Sequence, residues 1–230
     1  MENRTKDDFL NGQLLLIDKP IGWSSFQAVN KLKWAIRKKF ELKKIKIGHA
    51  GTLDPLATGL LLICTGKFTK KINELQGQIK EYTGTITLGA TTPSYDLETE
   101  IDKTFAINHI SREIAEAAVA SFVGDIEQRP PIFSALKKDG KRLYEYAREG
   151  KEVEIKKRTV TISEFEITQM QLPEIRFRVI CSKGTYIRSL AHDLGLLLQS
   201  GGHLSELRRT KIGSYHVNNA VDPNVFGENL

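Results

Sequence analysis

The sequence predicts an α+β fold: a mixed, largely antiparallel sheet flanked by helices. Three observations lead there. Helical and extended patterns are interleaved without a βα repeat. Two β-type segments, 158–168 and 174–181, follow one another directly late in the chain. In the second, Ile175, Phe177, Val179 and Cys181 alternate as a half-buried strand requires. The 230 residues are 40% apolar, enough for a substantial core.

Residues 13–19, QLLLIDK, read as a short buried strand that ends in the Pro20-Ile21-Gly22 turn. Ser24 and Gln27 form an S-x-x-Q capping box, in which each side chain satisfies a free backbone N–H. The helix it opens repeats Phe26, Val29, Leu32, Ile36 and Phe40 at helical spacing. Its polar side is very basic, with eight Lys/Arg between Lys31 and Lys46 against one acid, Glu41. Residues 48–59, GHAGTLDPLATG, break every periodic pattern and hold three glycines and a proline. Lying between apolar segments, they have the makeup of a loop that carries function. Tyr82–Leu88 reads as a strand, and 111–122 as a helix that Gly124 ends. Residues 128–134, QRPPIFS, are extended by their prolines. A further β-type segment is expected at 152–155, and a helix at 185–198 with Ile187, Leu190, Leu194 and Leu197 on one face.

Composition narrows the function. The chain carries 34 Lys/Arg against 28 Asp/Glu, a net charge of +6, which permits an anionic partner such as nucleic acid. Mean hydropathy is −0.30 and no apolar run approaches a membrane span. The N-terminus lacks the pattern of a secretory leader. Two widely separated cysteines exclude a disulfide framework and fit a reducing, cytoplasmic setting. Nucleotide-binding glycine motifs, GxSxG and HExxH are all absent. The five histidines show no ligand spacing, so no metal is expected. Two-carboxylate glycosidase chemistry lacks a second acid in the loop, which offers only Asp54. Taken alone, Asp54-Pro55 reads as a turn, His49 as a loop histidine bonded to backbone, and Tyr82 as a cross-strand aromatic.

GHAGTLDPLATGLLL resembles the TruB-type pseudouridine synthases, bacterial enzymes that modify the T-loop uridine of tRNA. The likeness runs from about residue 11 to 211. It continues in LLLIDKPIGWSS (14–25), KEYTGTITLGATTPSYD (80–96), QRPPIFSALKKDGKRLYEYAREG (128–150), CSKGTYIRSLAHDLG (181–195) and HLSELRRTKIG (203–213).

The resemblance implies a catalytic domain over 11–213, an N-terminal tail over 1–10 and a short tail over 214–230. The PUA RNA-binding domain of many relatives is not expected. It implies isomerisation of the T-loop uridine (position 55) in tRNA on a flipped-out base, with no cofactor, no membrane and no obligate protein partner. Asp54 matches the nucleophile. Its attack at the sugar C1′, attack at the uracil ring, and a glycal route all remain open. His49 is expected beside the extruded nucleotide, as a positioning group. Tyr82 is expected among the catalytic residues: it stacks on the target uracil, which helps offset the cost of extrusion, and its phenol is a candidate for the final proton removal. Arg188 is expected to pair with the Asp54 carboxylate through its planar fork. Tyr186 and Leu207 are expected to line the nucleotide pocket. Lys19 is expected to shape the turn at Pro20. Lys31–Lys46, the group Lys137, Lys138, Lys141 and Arg142, and the group Arg208, Arg209 and Lys211 are expected to meet RNA phosphates. A non-catalytic RNA binder or tRNA folding chaperone is the reading from another class. A guide-RNA-directed relative is a third.

Overall fold

A computed structural model describes residues 4–230. In chain order its elements begin with α1 (Lys6–Asn11), β1 (Leu14–Lys19), α2 (Ser25–Lys39), β2 (Ile47–His49) and β3 (Ala57–Thr65). A 3-10 turn and α3 (Ile72–Gly77) lead to β4 (Lys80–Leu88), then β5 (Ala90–Thr91), β6 (Lys103–Thr104), α4 (Arg112–Ala120) and β7 (Gly124–Gln128). There follow β8 (Lys137–Lys138), β9 (Lys141–Arg142), α5 (Leu143–Arg148), β10 (Arg158–Gln171), β11 (Glu174–Cys181), α6 (Ile187–Leu197), β12 (Gly202–Ile212) and β13 (Tyr215–His216). Strand pairing is mixed and mostly antiparallel, as the sequence predicts. The chain forms two compact units: the residues up to Tyr82 with Leu207–Leu230, and Thr83–Glu206.

In the first unit the strands run β1-β3-β12-β4. β1 and β2 pair with β3 antiparallel, and β12 pairs with it parallel, Leu207 opposite Ala57. β3 is apolar almost throughout because both its faces are covered. Leu61 and Ile63 meet Ala28, Val29, Leu32 and Ile36 of α2; Leu60, Leu62 and Cys64 pack with Leu75, Ile212 and Val217. The capping box at Ser24 and Gln27 is present. Phe26 departs from the expected apolar face and is 69% exposed; Ala28 and Ala35 take inward places instead. The ends of the chain are more structured than tails. Thr5 caps α1, whose Phe9 is fully buried, and Val217 and Phe226 are buried as well.

In the second unit the order is β12-β4-β11-β10-β7. β11 buries Ile175, Phe177, Val179 and Cys181 as predicted, and Phe177 meets Phe165 of β10 edge to face at 5.8 Å. Residues 151–157 form no strand, against expectation. α4 stops at Ala120, capped at Ser111, and Gly124 opens β7 instead of ending the helix. On α6, Ile187, Leu190 and Leu194 are buried, whereas Leu197 is exposed. Among the described residues no helix is long and apolar enough to cross a membrane.

Candidate active site

The loop that carries Asp54 is shorter than the sequence suggests. β2 reaches His49 and β3 starts at Ala57, so residues 50–56 alone lie outside strands. Three buried polar side chains hold this loop, all within the first unit. Ser25, the first residue of α2, accepts from the Leu53 N–H at 2.8 Å and donates to the Leu53 carbonyl at 3.0 Å. Lys19, fully buried, donates to the carbonyls of Trp23 (2.6 Å), Pro20 (2.9 Å) and Pro55 (3.5 Å). Arg209, 1% exposed, donates from Nε to Leu60 (2.7 Å), from one terminal nitrogen to Gly51 (3.0 Å) and from the other to Thr52 (3.5 Å). All three Arg209 acceptors are carbonyls, so a planar fork of donors is used to pin backbone. β12 can come this close because residue 59 is glycine. Its φ is +102°, and a Cβ there would lie 2.3 Å from the Arg209 carbonyl oxygen.

Asp54 is half-buried at the loop tip, and its own carbonyl accepts from Ala57 N–H at 3.1 Å. Burial pushes the Lys19 ammonium down to about 8; the Asp54 charge works against that shift and Arg209 adds to it. Lys19 thus keeps its charge at neutral pH and sets a positive field near Asp54. Burial, then the Arg209 guanidinium, holds His49 below the usual histidine range, against a raising contribution from the Gly51 backbone. His49 is therefore neutral at physiological pH, which suits a positioning group better than a proton donor. Leu207 is half-buried on β12, opposite the first residue of β3. Tyr82 is 8% exposed on β4, directly after the buried Lys80 and Glu81. His49, Asp54, Tyr82 and Leu207 thus fall in one unit.

Tyr186 and Arg188 fall in the other, at the start of α6. The Gln128 amide, fully buried, clasps the Tyr186 backbone on both sides: it accepts from its N–H at 2.8 Å and donates to its carbonyl at 3.0 Å. The Arg158 guanidinium lies 4.7 Å from the Tyr186 ring centre. Arg188 is 4% exposed; its Nε sits 3.5 Å from the Asp96 carboxylate, and its terminal nitrogens donate to the carbonyls of Ser94 (3.2 Å) and Phe133 (2.9 Å).

Sequence reading missed several of these groups. Ser25, Asp96 and Gln128 lie inside the quoted motifs, but nothing marks a polar residue as buried before the fold is known. The sequence groups Arg209 with Arg208 and Lys211 as a phosphate-facing cluster. The structure corrects this for Arg209, which is interior; Arg208 makes a two-pronged pair with Asp18 (2.6 and 3.0 Å) and Lys211 pairs with Glu81 at 3.2 Å, and both stay partly exposed. Lys137, Lys138 and Arg142, by contrast, are exposed on the β8–β9 hairpin.

Arg209 gives a direct test of the loop clamp. Arg209→Met keeps the apolar stem and removes three donors. If Asp54 is the nucleophile that the family resemblance implies, the expected result is a fall in kcat of about 10²-fold, the cost of misplacing a reacting group by about 1 Å. A variant with wild-type turnover would show that the clamp does not position Asp54.

Residues 37–187 match the family model described as TruB family pseudouridylate synthase (N terminal domain). Residues 188–226 match the tRNA pseudouridylate synthase B C-terminal domain. The chain is 67% identical over 227 residues to tRNA pseudouridine synthase B of Flavobacterium johnsoniae, covering 98% of this chain and 99% of the relative. It is 54% identical to the protein of the same name from Phocaeicola vulgatus, covering 96% and 94%. Among solved structures, the Cbf5-Nop10-Gar1 complex contains a similar chain: TM-score 0.71, 27% identity, 99% of this chain and 57% of that one. The chain thus spans little more than half the length of that structural neighbour. The chain belongs to the TruB family of pseudouridylate synthases. It is accordingly an isomerase that converts uridine to pseudouridine.

Proposed function

We propose that this chain isomerises the T-loop uridine of tRNA, with Asp54 as the nucleophile. The observation that carries this reading is the clamp on residues 50–56. Lys19, Ser25 and Arg209 fix the backbone on both sides of Asp54 and leave its carboxylate half-exposed at the tip. A purely RNA-binding protein has little use for a rigidly presented acid, because a carboxylate repels phosphate.

The reaction breaks the uracil N1–C1′ bond and forms a C5–C1′ bond. N1 ends with a proton, and C5 gives one up, so atoms balance without an oxidant or an energy source. Each of the three routes open to the family begins with an ionised carboxylate beside the sugar and the base. In this reading Tyr82 stacks on the extruded uracil, and His49, Tyr186 and Leu207 contact the nucleotide. Arg188 supports the ionised acid.

Mapping pseudouridine in a tRNA transcript incubated with the protein tests the proposal. One new pseudouridine in the T-loop is expected, and none when that uridine is replaced by cytidine. Modification elsewhere, with the T-loop untouched, would overturn the substrate assignment.

Binding should also be salt-dependent. With phosphate contacts from Lys31–Lys46 and the β8–β9 hairpin, log Kd should rise linearly with log salt, by about 0.7 to 0.9 per phosphate neutralised. Binding that ignores salt across the physiological range would remove these basic segments from the interface.

A further inference from the structure

The outer side of α2 carries more than charge. Trp34 lies 59% exposed on it, where burial would have been worth more than for any other side chain type. Around it the surface forms a groove lined by Asn30, Lys33, Arg37, Lys38, Leu42 and Lys43, with a single acid, Glu41, at the chain reversal. The groove is built by a chain reversal. After Phe40 caps α2, Glu41 takes a left-handed conformation (φ 51°), which a non-glycine residue adopts at a cost. The returning chain is then tied to the helix: Leu42 N–H donates to the Arg37 carbonyl (3.0 Å), and Arg37 Nε donates to the Leu42 carbonyl (3.1 Å). Lys43 is thereby brought alongside Trp34. The Lys38 ammonium sits 4.9 Å from the indole centre and steadies the ring. Among the described residues, none of the cations from Lys31 to Lys46 has an acidic partner.

An exposed indole beside four cations that outnumber the one acid of the groove, Glu41, complements one ligand chemistry in particular: a flat base with a phosphate on either side. An acidic peptide would use the charges and leave the ring without a purpose. A duplex would offer phosphates but no unstacked base. We propose that the Trp34 groove binds an unpaired nucleotide of RNA, the base stacked on the indole and the flanking phosphates held by Lys33, Arg37, Lys38 and Lys43. This rests on the reading of the chain as an enzyme of RNA. It adds a second contact, separate from the loop of Asp54, that recognises single-stranded RNA.

The test is direct binding of a ten-nucleotide oligouridylate, followed by anisotropy of a labelled oligonucleotide and by quenching of tryptophan emission. Trp34→Ala should weaken binding about tenfold, within the range that base–aromatic stacking supplies. Trp34→Phe should retain most of the affinity while the quenching disappears. Thermal melting of each variant checks that the helix is intact, as an exposed side chain predicts. Equal oligouridylate affinity for wild type and Trp34→Ala would overturn the proposal. So would polyglutamate competing as well as oligouridylate at matched charge, since the surface would then be reading charge alone. The outcome is separable from the enzymatic reading, because oligouridylate binding needs no turnover and T-loop mapping on wild type is scored independently.

Discussion

Asp54→Asn should reduce pseudouridine formation to background while tRNA affinity stays within about threefold of wild type, since contacts to the RNA backbone dominate binding. The substitution is nearly isosteric. The Ala57 N–H bond to the residue 54 carbonyl uses backbone, and the Lys19, Ser25 and Arg209 contacts reach neighbouring residues, so the loop keeps its shape. What goes is the negative charge, and with it the nucleophilicity of the carboxylate oxygen. Mapping pseudouridine after single turnover at saturating enzyme separates chemistry from binding. Substantial modification by Asp54→Asn would take the nucleophile away from this loop. Loss of binding in step with activity would instead make Asp54 a structural residue.

Arg188→Met should unfold the protein more readily than any surface change. Arg188 and Asp96 bury nearly all of their side chains, 5% and 7% exposed, and the Arg188 fork also satisfies the carbonyls of Ser94 and Phe133. Removing the cation leaves Asp96 buried with its Glu98 N–H bond but without its counter-charge. Breaking a buried pair from one side costs about 3–5 kcal/mol. At roughly 2–4 °C per kcal/mol for a chain of this size, the melting temperature should drop by about 10 °C. Arg188→Lys should recover little, because one ammonium cannot reach three acceptors set around a planar fork. The double change Arg188→Met with Asp96→Asn should recover part of the loss, since the stranded charge is gone. A single variant that melts with wild type would show that the pair does not hold Thr83–Glu206 together. Activity adds a separate readout. If Arg188 also supports the ionised Asp54, Arg188→Met assayed well below its melting point should be slow in single turnover, with an unchanged salt slope of binding.

Local chemistry was legible in the sequence; buried polar partners were not. The Ser24–Gln27 box placed the start of α2 because capping is a contact within one turn. The alternation of β11 held because it depends only on which face meets the core. Phe26 shares the helical spacing of the apolar face yet lies 69% exposed, because periodicity does not say which of two nearby positions, Phe26 or Ala28, turns inward. Arg209 looked like its neighbours Arg208 and Lys211, and its interior role appears only once β12 lies beside β3. That pairing joins residues about 150 positions apart, beyond the reach of any periodicity. The roles proposed for Asp54, Tyr82 and Arg188 rest on family likeness, and the structure adds the clamp that holds the loop of the first of them.

The parallel pairing of β3 with β12 also orders events in time. Thr83–Glu206 is one uninterrupted stretch and can collapse on its contacts while the chain is still being made. The unit that bears Asp54 has no such option. Its β1–β3 ladder joins segments only about 40 to 50 residues apart, but the guanidinium that pins Gly51 and Thr52 is translated about 160 residues later. Closing so long a loop is slow. Until it closes, Lys19 and Ser25 alone hold the segment around Asp54, and a chain stalled before β12 lacks the guanidinium that fixes Gly51 and Thr52.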